Sequence, residues 1–203
     1  MASTAAPYGA RPIGTLSSSG SFSSKTRLLE IASGYATAIF NGDFVDVDAT
    51  GTVVNSYTTE AAQATLSTVG IFLGCQFTDP STGQKTFKDN WPAGTVASDA
   101  KAYVLDDPMV LMQMQSDAAI ALADRGLNVG IQTTFGSTTI GKSKNAVDGS
   151  SKATTVTLPL RLIDFVDGPD SAIGDAFTDV IVKFNQPSSN SASPHRYLNA
   201  TGL

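Results

Sequence analysis

The sequence predicts a mainly β protein, a β-barrel or sandwich with one short helix and an extended N-terminal arm. Short apolar runs with β-branched residues are separated by turn signals rich in Gly, Pro, Asn and Asp, which is typical of strands and hairpins. No repeat of about 20–50 residues is visible, which disfavours solenoids and propellers. A chain of 203 residues is long enough for one well-buried β domain with additional arms.

The two ends of the chain differ in composition from its middle. We predict an extended N-terminal arm over residues 1–30, a β-rich body over 31–187 and a polar C-terminal tail over 188–203. Residues 1–25 are mostly Ser, Gly, Ala, Pro and Thr without a steady apolar period, so they cannot close a core alone. We therefore expect either a disordered tail or an arm that grips a partner, with these candidate anchors: Tyr8, Ile13, Leu16 and Phe22.

The first half of the body reads as a hairpin followed by a longer strand. Asn41-Gly42-Asp43 precedes an apolar run at 44–47, and Asp48 to Gly51 precedes a second run at 52–54. The glycines in these turns can adopt the positive φ angles that hairpins require. Residues 69–77 are more continuously apolar and include Cys75, so we expect a buried strand with this cysteine in the core.

The second half contains strands that alternate between apolar and polar positions. The runs at 100–105 and 109–115 flank the turn Asp106-Asp107-Pro108. Apolar side chains at every second position predict half-buried strands. One run has such side chains at Val110, Met112 and Met114, and another has them at Val156, Leu158, Leu160 and Leu162. Pro159 places the latter strand at a sheet edge or bulge, and residues 180–184 form the last predicted strand.

One short helix is predicted after the strand at 109–115. Ser116 or Asp117 provides an N-cap, Ala118 to Asp124 forms the body and Gly126 ends it.

The charge content restricts the classes of partner. The formal net charge is −5, so the basic surface of a nucleic-acid-binding protein is missing. Charged residues make up 15% of the chain, compared with roughly 25% in ordinary soluble domains, which favours a surface partly covered by other proteins. No run approaches the roughly 20 apolar residues of a membrane-spanning helix, and no secretory signal is visible. We expect synthesis in a cytoplasm, without nucleic-acid or membrane contact.

A phosphate-binding pattern is present but lies in the wrong context. Residues 136–143, Gly-Ser-Thr-Thr-Ile-Gly-Lys-Ser, satisfy the pattern G-x-x-x-x-G-K-[ST]. A functional loop of this type runs directly into a helix whose N-terminus faces the phosphates. Here residues 144–151 contain Asn, Asp, Gly and Ser and break any helix at once. We therefore expect no nucleotide cofactor, and micromolar ATP binding that depends on Lys142 would overturn this expectation.

Other candidate reaction centres are incomplete. Asp46 to Gly51 begins like a calcium loop, but Thr50 and Tyr57 occupy positions that require acidic or amide ligands, so a turn is expected. His195, the single histidine, lies in the polar tail and is expected at the surface. With one His and one Cys, a zinc site built from these ligands would need help from another chain. We predict no enzyme activity, no catalytic residue, no cofactor and no metal.

Four segments resemble the head decoration (cement) proteins and related virion structural proteins of tailed bacteriophages. They are Ala5 to Gly14, Ile31 to Asp43, Gly70 to Cys75 and Tyr103 to Pro108, and the likeness extends in order over most of residues 5–184. The resemblance implies a β-rich body that binds the major capsid protein on the outside of the phage head and stabilises the expanded shell. It also implies self-assembly into a homotrimer or a dimer, and no catalytic residue.

Two other functions remain open from the sequence. One is a different virion part, such as a minor or major capsid subunit or a tail component, although 203 residues are few for a major capsid fold and no long spine helix is visible. The other is a carbohydrate-binding β module, in which Trp91, Tyr57 and Tyr103 would supply stacking rings.

Overall fold

The computed structural model describes residues 3–16, 26–186 and 193–199, and the chain is mainly β with antiparallel sheets, as predicted. No closed barrel is found. The strands are β1 Arg11–Thr15, β2 Thr26–Glu30, β3 Ile39–Phe40, β4 Phe44–Val47, β5 Val53–Asn55, β6 Ala62–Gln63, β7 Gly70–Thr78, β8 Lys85–Lys88, β9 Asn90–Trp91, β10 Lys101–Leu105, β11 Val110–Gln115, β12 Asn128–Gln132, β13 Ala146–Ala153, β14 Leu160–Phe165 and β15 Asp179–Phe184.

These strands form three sheets. A seven-stranded sheet has the order β1-β11-β15-β14-β12-β13, with β6 also paired to β12. A six-stranded sheet has the order β2-β10-β7-β4-β5, with β8 also paired to β7, and β3 and β9 form a two-stranded sheet. The chain passes from the six-stranded sheet to the seven-stranded sheet through the predicted turn at 106–108, which connects β10 to β11.

The first core contains residues of both large sheets. The ring of Phe44 on β4 meets the ring of Phe184 on β15 edge-to-face, with centroids 5.9 Å apart. The alternation predicted for β11 is confirmed, because its apolar positions are fully buried. The buried members of this core are Ala10, Phe44, Ile71, Leu105, Val110, Met112, Met114, Ile120, Val129, Ile131, Val147, Leu160, Leu162, Phe165, Val180, Val182 and Phe184.

The second core lies on the opposite face of the six-stranded sheet. Phe72, Cys75 and Phe77 on β7 contribute to it, while Ile71 on the same strand faces the first core. Trp91 is fully buried here, with its ring 5.4 Å from that of Phe77. Residues 70–72 of β7 are buried on both faces of the sheet, so the sequence there is continuously apolar instead of alternating. The prediction that Cys75 is a core residue is confirmed.

The predicted helix at 118–124 is wrong. The described part of this segment forms only one 3-10 turn, at Leu122–Asp124. The hydroxyl of Ser116 donates to the Ala118 carbonyl (2.7 Å), and a carboxylate oxygen of Asp117 accepts from the N–H of Gly149 (2.9 Å). The Ser116 hydroxyl therefore bonds within its own bend and the Asp117 carboxylate bonds to β13, and the segment stays non-helical up to Ala121.

The strand predicted from residue 156 begins later than expected. Val156 lies in a turn and is 51% exposed, and β14 starts at Leu160, directly after Pro159. The Pro159 carbonyl accepts from the N–H of Asn185 (2.8 Å), whereas its own nitrogen cannot donate. β14 lies between β15 and β12 and its register shift falls between Leu162 and Asp164, so the prediction that Pro159 marks a sheet edge or bulge is wrong. Pro159 is accommodated because it precedes the first paired residue of the strand.

Residues 3–16, the described part of the predicted arm, pack against the body of the same chain. β1 pairs with β11 antiparallel, and Ala10 belongs to the first core. The N–H of Ala10 donates to the Gly42 carbonyl (2.9 Å), and that of Gly9 donates to the Asn145 carbonyl (3.1 Å). Removing this segment would expose the edge of β11. A partner-gripping role for residues 1–30 stays a prediction.

Candidate interaction surface

One face of the six-stranded sheet is apolar beyond the part that the seven-stranded sheet covers. On this face Ile71 and Leu105 are fully buried, whereas Leu28 is 49% exposed and Phe87 is 65% exposed. Strand register places Leu28 opposite Tyr103 and Phe87 opposite Gln76. We call this surface the open face and define it by the side chains of Leu28, Leu73, Gln76, Phe87 and Tyr103.

The open face has a shallow cavity at its centre. The cavity has a volume of about 190 Å³, and Leu73, Phe87 and Tyr103 are among the residues that line it. The hydroxyl of Tyr103 donates to the side-chain oxygen of Gln76 (3.0 Å), which fixes the ring against the sheet. Pockets for small-molecule ligands usually have volumes of about 300–1,000 Å³. The cavity is therefore better suited to one side chain of a protein partner than to a substrate.

Charges near the open face are few and of both signs. Glu30 lies directly opposite Lys101 in the β2–β10 ladder. Lys88 extends over the ring of Phe77 on the opposite face of the sheet (5.7 Å to the centroid), and Asp89 is paired with Lys142 at 3.0 Å. This arrangement provides no strong field of one sign, so recognition here depends mainly on apolar contact.

The predicted anchor residues occupy different environments. Tyr8 is half-buried, and burial together with the nearby carboxylate of Asp179 raises the pKa of its hydroxyl well above the usual value. Ile13 is 40% exposed and Leu16 is 45% exposed, both beside the β11 edge. Phe22 lies outside the described residues. Tyr8 therefore contributes to packing within the chain, while Ile13 and Leu16 keep surface for another molecule.

The segment with the phosphate-binding pattern is a packed turn. Lys142 pairs with Asp89, and Ser143 is buried, with its hydroxyl accepting from the N–H of Asn145 (3.1 Å). A Cβ atom added to Gly136 would lie 2.4 Å from Cγ of Phe40, so this glycine allows close packing. The next element of the described chain is the strand β13, so no helix N-terminus faces this turn, while Lys142 forms an exposed ion pair and Ser143 is buried.

Asp43 is the centre of a buried polar cluster that sequence reasoning missed. Its carboxylate accepts from the N–H of Phe40 (2.9 Å), the hydroxyl of Tyr57 (2.9 Å) and the side-chain amide of Asn145 (3.3 Å). Burial raises the pKa of Asp43 to about 6, although hydrogen bonds from Ser143, Phe40 and Tyr57 counteract part of the rise. The residue is fully buried, so the cluster joins three segments of chain and is closed to a substrate.

The calcium-like segment is a turn, as predicted. One carboxylate oxygen of Asp48 accepts from the N–H groups of Thr50 and Thr52, both at 3.0 Å. Hydrogen bonds from the same two threonines lower the pKa of Asp48. Across residues 3–16, 26–186 and 193–199, no group of three His, Cys, Asp or Glu side chains is placed to hold a metal ion.

The prediction that His195 lies at the surface is wrong. Its ring is fully buried and lies edge-to-face against Phe184, with centroids 5.2 Å apart. The main chain on either side pairs with Thr68, whose N–H donates to the Pro194 carbonyl (2.9 Å) and whose carbonyl accepts from Arg196 (2.8 Å). The burial could not be predicted from the polar residues around His195, because the segment is held by main-chain hydrogen bonds and by the contact of one ring.

Two of the three aromatic rings considered for sugar stacking are inside the protein. Trp91 is fully buried and its indole N–H donates to the Tyr35 carbonyl (3.2 Å). Tyr57 is 5% exposed and donates to Asp43. Tyr103 alone of the three has a partly exposed ring, and it belongs to the open face.

No protein family model, curated protein or solved structure matches this chain. Within the described part of the chain, no helix has the length and apolar character needed to cross a bilayer. The arguments for function therefore come from the residues of the chain itself.

Proposed function

We propose that this chain is a capsid decoration protein that binds the major capsid protein on the outer surface of a tailed-phage head and stabilises the expanded shell. Its work is done by subunit contacts, with no catalytic residue and no cofactor. The resemblance of four sequence segments to decoration proteins motivates this proposal. The open face is the structural observation that carries it, because Leu28 and Phe87 are exposed apolar side chains on one face of the same sheet, and exposed apolar patches mark interaction sites.

The open face supplies apolar anchors on a rigid support. Leu28 and Phe87 project from paired strands, so little conformational freedom is lost when they are covered. Full burial of one such side chain stabilises a complex by about 1.5–3 kcal/mol. An interface of about 1,600 Å² is sufficient for specific attachment. Ile13 and Leu16 would provide a second contact area, and contacts made together by one oligomer reinforce each other.

We further propose that the two large sheets form a β-sandwich. The contact between Phe44 and Phe184 supports this arrangement, because each ring comes from a different sheet. The shared first core supports it as well. Such a scaffold holds the open face rigid while the opposite face of the six-stranded sheet is covered by the second core.

Co-sedimentation with expanded empty capsids tests the proposed attachment. We expect the wild-type chain to pellet with capsids at saturable occupancy, and the Phe87→Ser variant to bind at least tenfold more weakly. Val96→Ser is the matched control, because Val96 is 67% exposed but lies outside the open face, and it should bind like wild type. Equal binding of all three proteins would contradict a role for the open face, and absence of wild-type binding would contradict attachment itself.

A further inference from the structure

Several sheet edges in the described residues carry features that prevent further strand pairing. β1 contains Pro12 next to a register shift, and β13 is bridged at Val147 by Ser116. β5 has three residues, and the N–H of Asn55 already donates to the hydroxyl of Tyr35 (2.9 Å). β8 carries two lysines. Proline, bulges, short length and lysine are the usual ways in which natural sheets avoid edge-to-edge association.

β2 is the edge strand without such protection. Its five residues pair with β10 without a register shift, and it contains neither proline nor lysine. Its one basic side chain, Arg27, is 64% exposed, forms an ion pair with Asp106 and lies over the ring of Tyr197 (5.6 Å to the centroid). Leu28, at the centre of the strand, is 49% exposed.

The register of β2 shows which main-chain groups face outward. The N–H of Ile31 donates to the Ala100 carbonyl (3.1 Å), which continues the pairing of Glu30 with Lys101. In an antiparallel ladder the residues that bond to one neighbour alternate with those that face away. Residues 27 and 29 therefore bond to β10, and the N–H and carbonyl groups of residues 26, 28 and 30 point away from it.

We propose that β2 pairs antiparallel with β2 of a second copy of this chain, about a two-fold axis that passes through Leu28. The two six-stranded sheets then join into one continuous sheet across a homodimer. A self-complementary patch of this kind generates a closed two-fold dimer. The proposal therefore selects the dimer from the two assemblies, trimer and dimer, that the sequence resemblance implies.

The sequence of β2 fits this register. Leu28 meets the partner's Leu28, and Thr26 meets the partner's Glu30, so every outward-facing residue finds an outward-facing counterpart. Each of these pairs exchanges two main-chain hydrogen bonds. The register places no like charges directly opposite each other. A register centred on Glu30 would instead place two carboxylates together.

The pairing also adds to the open face. Leu28 and Tyr103 are cross-strand neighbours on that face, so the dimer brings two open faces side by side on one sheet. The proposal does not rest on capsid attachment, because it can be measured with purified protein alone. Residues 17–25, which precede β2, are the competing occupant of the edge, and in that case the chain would be a monomer.

Disulfide trapping of the full chain tests the two-fold register directly. The Cα atoms of a hydrogen-bonded antiparallel pair are about 5.5 Å apart, which a disulfide spans. We expect Leu28→Cys to form a covalent dimer rapidly under mild oxidation. Native Cys75 is unpaired but buried, so it should not compete for the disulfide. Val96→Cys is the control, since this position is at least as exposed but lies outside β2, and it should stay largely uncrosslinked. Equal crosslinking of both variants would overturn the proposal.

Sedimentation equilibrium provides the second test. Wild-type protein should be dimeric at micromolar concentrations, and Leu28→Pro should be monomeric with an unchanged circular dichroism spectrum, because proline removes an outward N–H that β10 does not use. Leu28→Thr keeps that N–H and should weaken the dimer less than Leu28→Pro does. A wild-type monomer or trimer, or a folded Leu28→Pro variant that remains dimeric, would overturn the proposal.

Discussion

The guanidinium group of Arg196 binds both carboxylate oxygens of Asp46, with N–O distances of 2.7, 3.0 and 3.1 Å. This pair ties residues 193–199 to β4, while His195 fills a site against Phe184. Asp46 is 7% exposed, so water could solvate its carboxylate only poorly if the arginine were removed. A segment that reads as a polar tail in the sequence is therefore a structural part of the body.

Arg196→Ala should lower the free energy of unfolding by about 1–3 kcal/mol, because it leaves a buried carboxylate without its charged donor. Urea unfolding measures this loss. Arg125→Ala is the matched control, since its ion pair with Asp164 joins side chains that are both 52% exposed, and exposed pairs contribute about 0–1 kcal/mol. Equal losses in the two variants would show that the C-terminal segment is not docked through Asp46.

Acidification should destabilise the fold through His195. Burial lowers the pKa of this histidine from 6.5 to about 4, so between these values the unfolded chain binds more protons than the folded chain. The His195 contribution to stability is therefore complete above pH 6.5 and is lost as the pH falls toward 4. Because the chain has one histidine, NMR titration reports this group without ambiguity. A titration midpoint near 6.5 in the folded protein would contradict the buried position.

Asp43→Asn should destabilise the protein by about 1–3 kcal/mol at neutral pH. The carboxylate accepts from donors on both oxygens, and an asparagine would place its own N–H₂ group against either the N–H of Phe40 or the hydroxyl of Tyr57. Tyr57→Phe removes one donor only and should cost about 0.5–1.5 kcal/mol. Denaturant unfolding compares the free energies of unfolding of the two variants. An Asp43→Asn variant as stable as the wild type would show that the cluster is not required for stability.

The pKa of Asp43 also predicts a pH effect opposite to that of His195. Because burial raises this pKa from 3.8 to about 6, the folded chain binds more protons than the unfolded chain between these values. The Asp43 contribution to the free energy of unfolding therefore increases as the pH falls from about 6 toward 3.8. Asp43→Asn should remove this contribution, which a comparison of the two pH profiles measures.

Gly136→Ala should lower the melting temperature strongly, because the new methyl group would overlap the ring of Phe40 and the carbonyl of Lys142. Gly168→Ala is the control, since a Cβ atom there meets nothing within 4 Å, and its effect should be small. Lys142→Ala should also have little effect, because its pair with Asp89 is exposed. This ranking separates a packing role for the 136–143 segment from a phosphate-binding role, in which Lys142 would matter most for ligand affinity.

The sequence was sufficient to predict which residues are buried where apolar positions follow a regular period. Val110, Met112 and Met114 alternate and are buried as predicted, and Cys75 is a core residue as predicted. It was insufficient where tertiary contacts override local signals. The segment at 116–124 has helix-forming residues, yet the Ser116 hydroxyl bonds within its own bend and Asp117 bonds to Gly149 of β13, and only one 3-10 turn forms.

Burial of polar segments was the second source of error. β13 contains Asp, Gly, Ser and Lys and gives no strand pattern, although it pairs with β12. Asp43 and His195 are buried by strands that are distant in sequence, which no local period can indicate. The open face likewise depends on which strands are neighbours, and Leu28 and Phe87 belong to separate parts of the chain.

The most direct test of the proposed function is the thermal stability of expanded empty capsids with and without the purified protein. A ligand that binds only the assembled shell must stabilise it, so the calorimetric melting temperature should rise with added protein and then saturate. The Phe87→Ser variant should need a higher concentration to reach the same rise, whereas Val96→Ser should match wild type. A melting temperature that stays constant at saturating protein would contradict the proposal that this chain is a decoration protein.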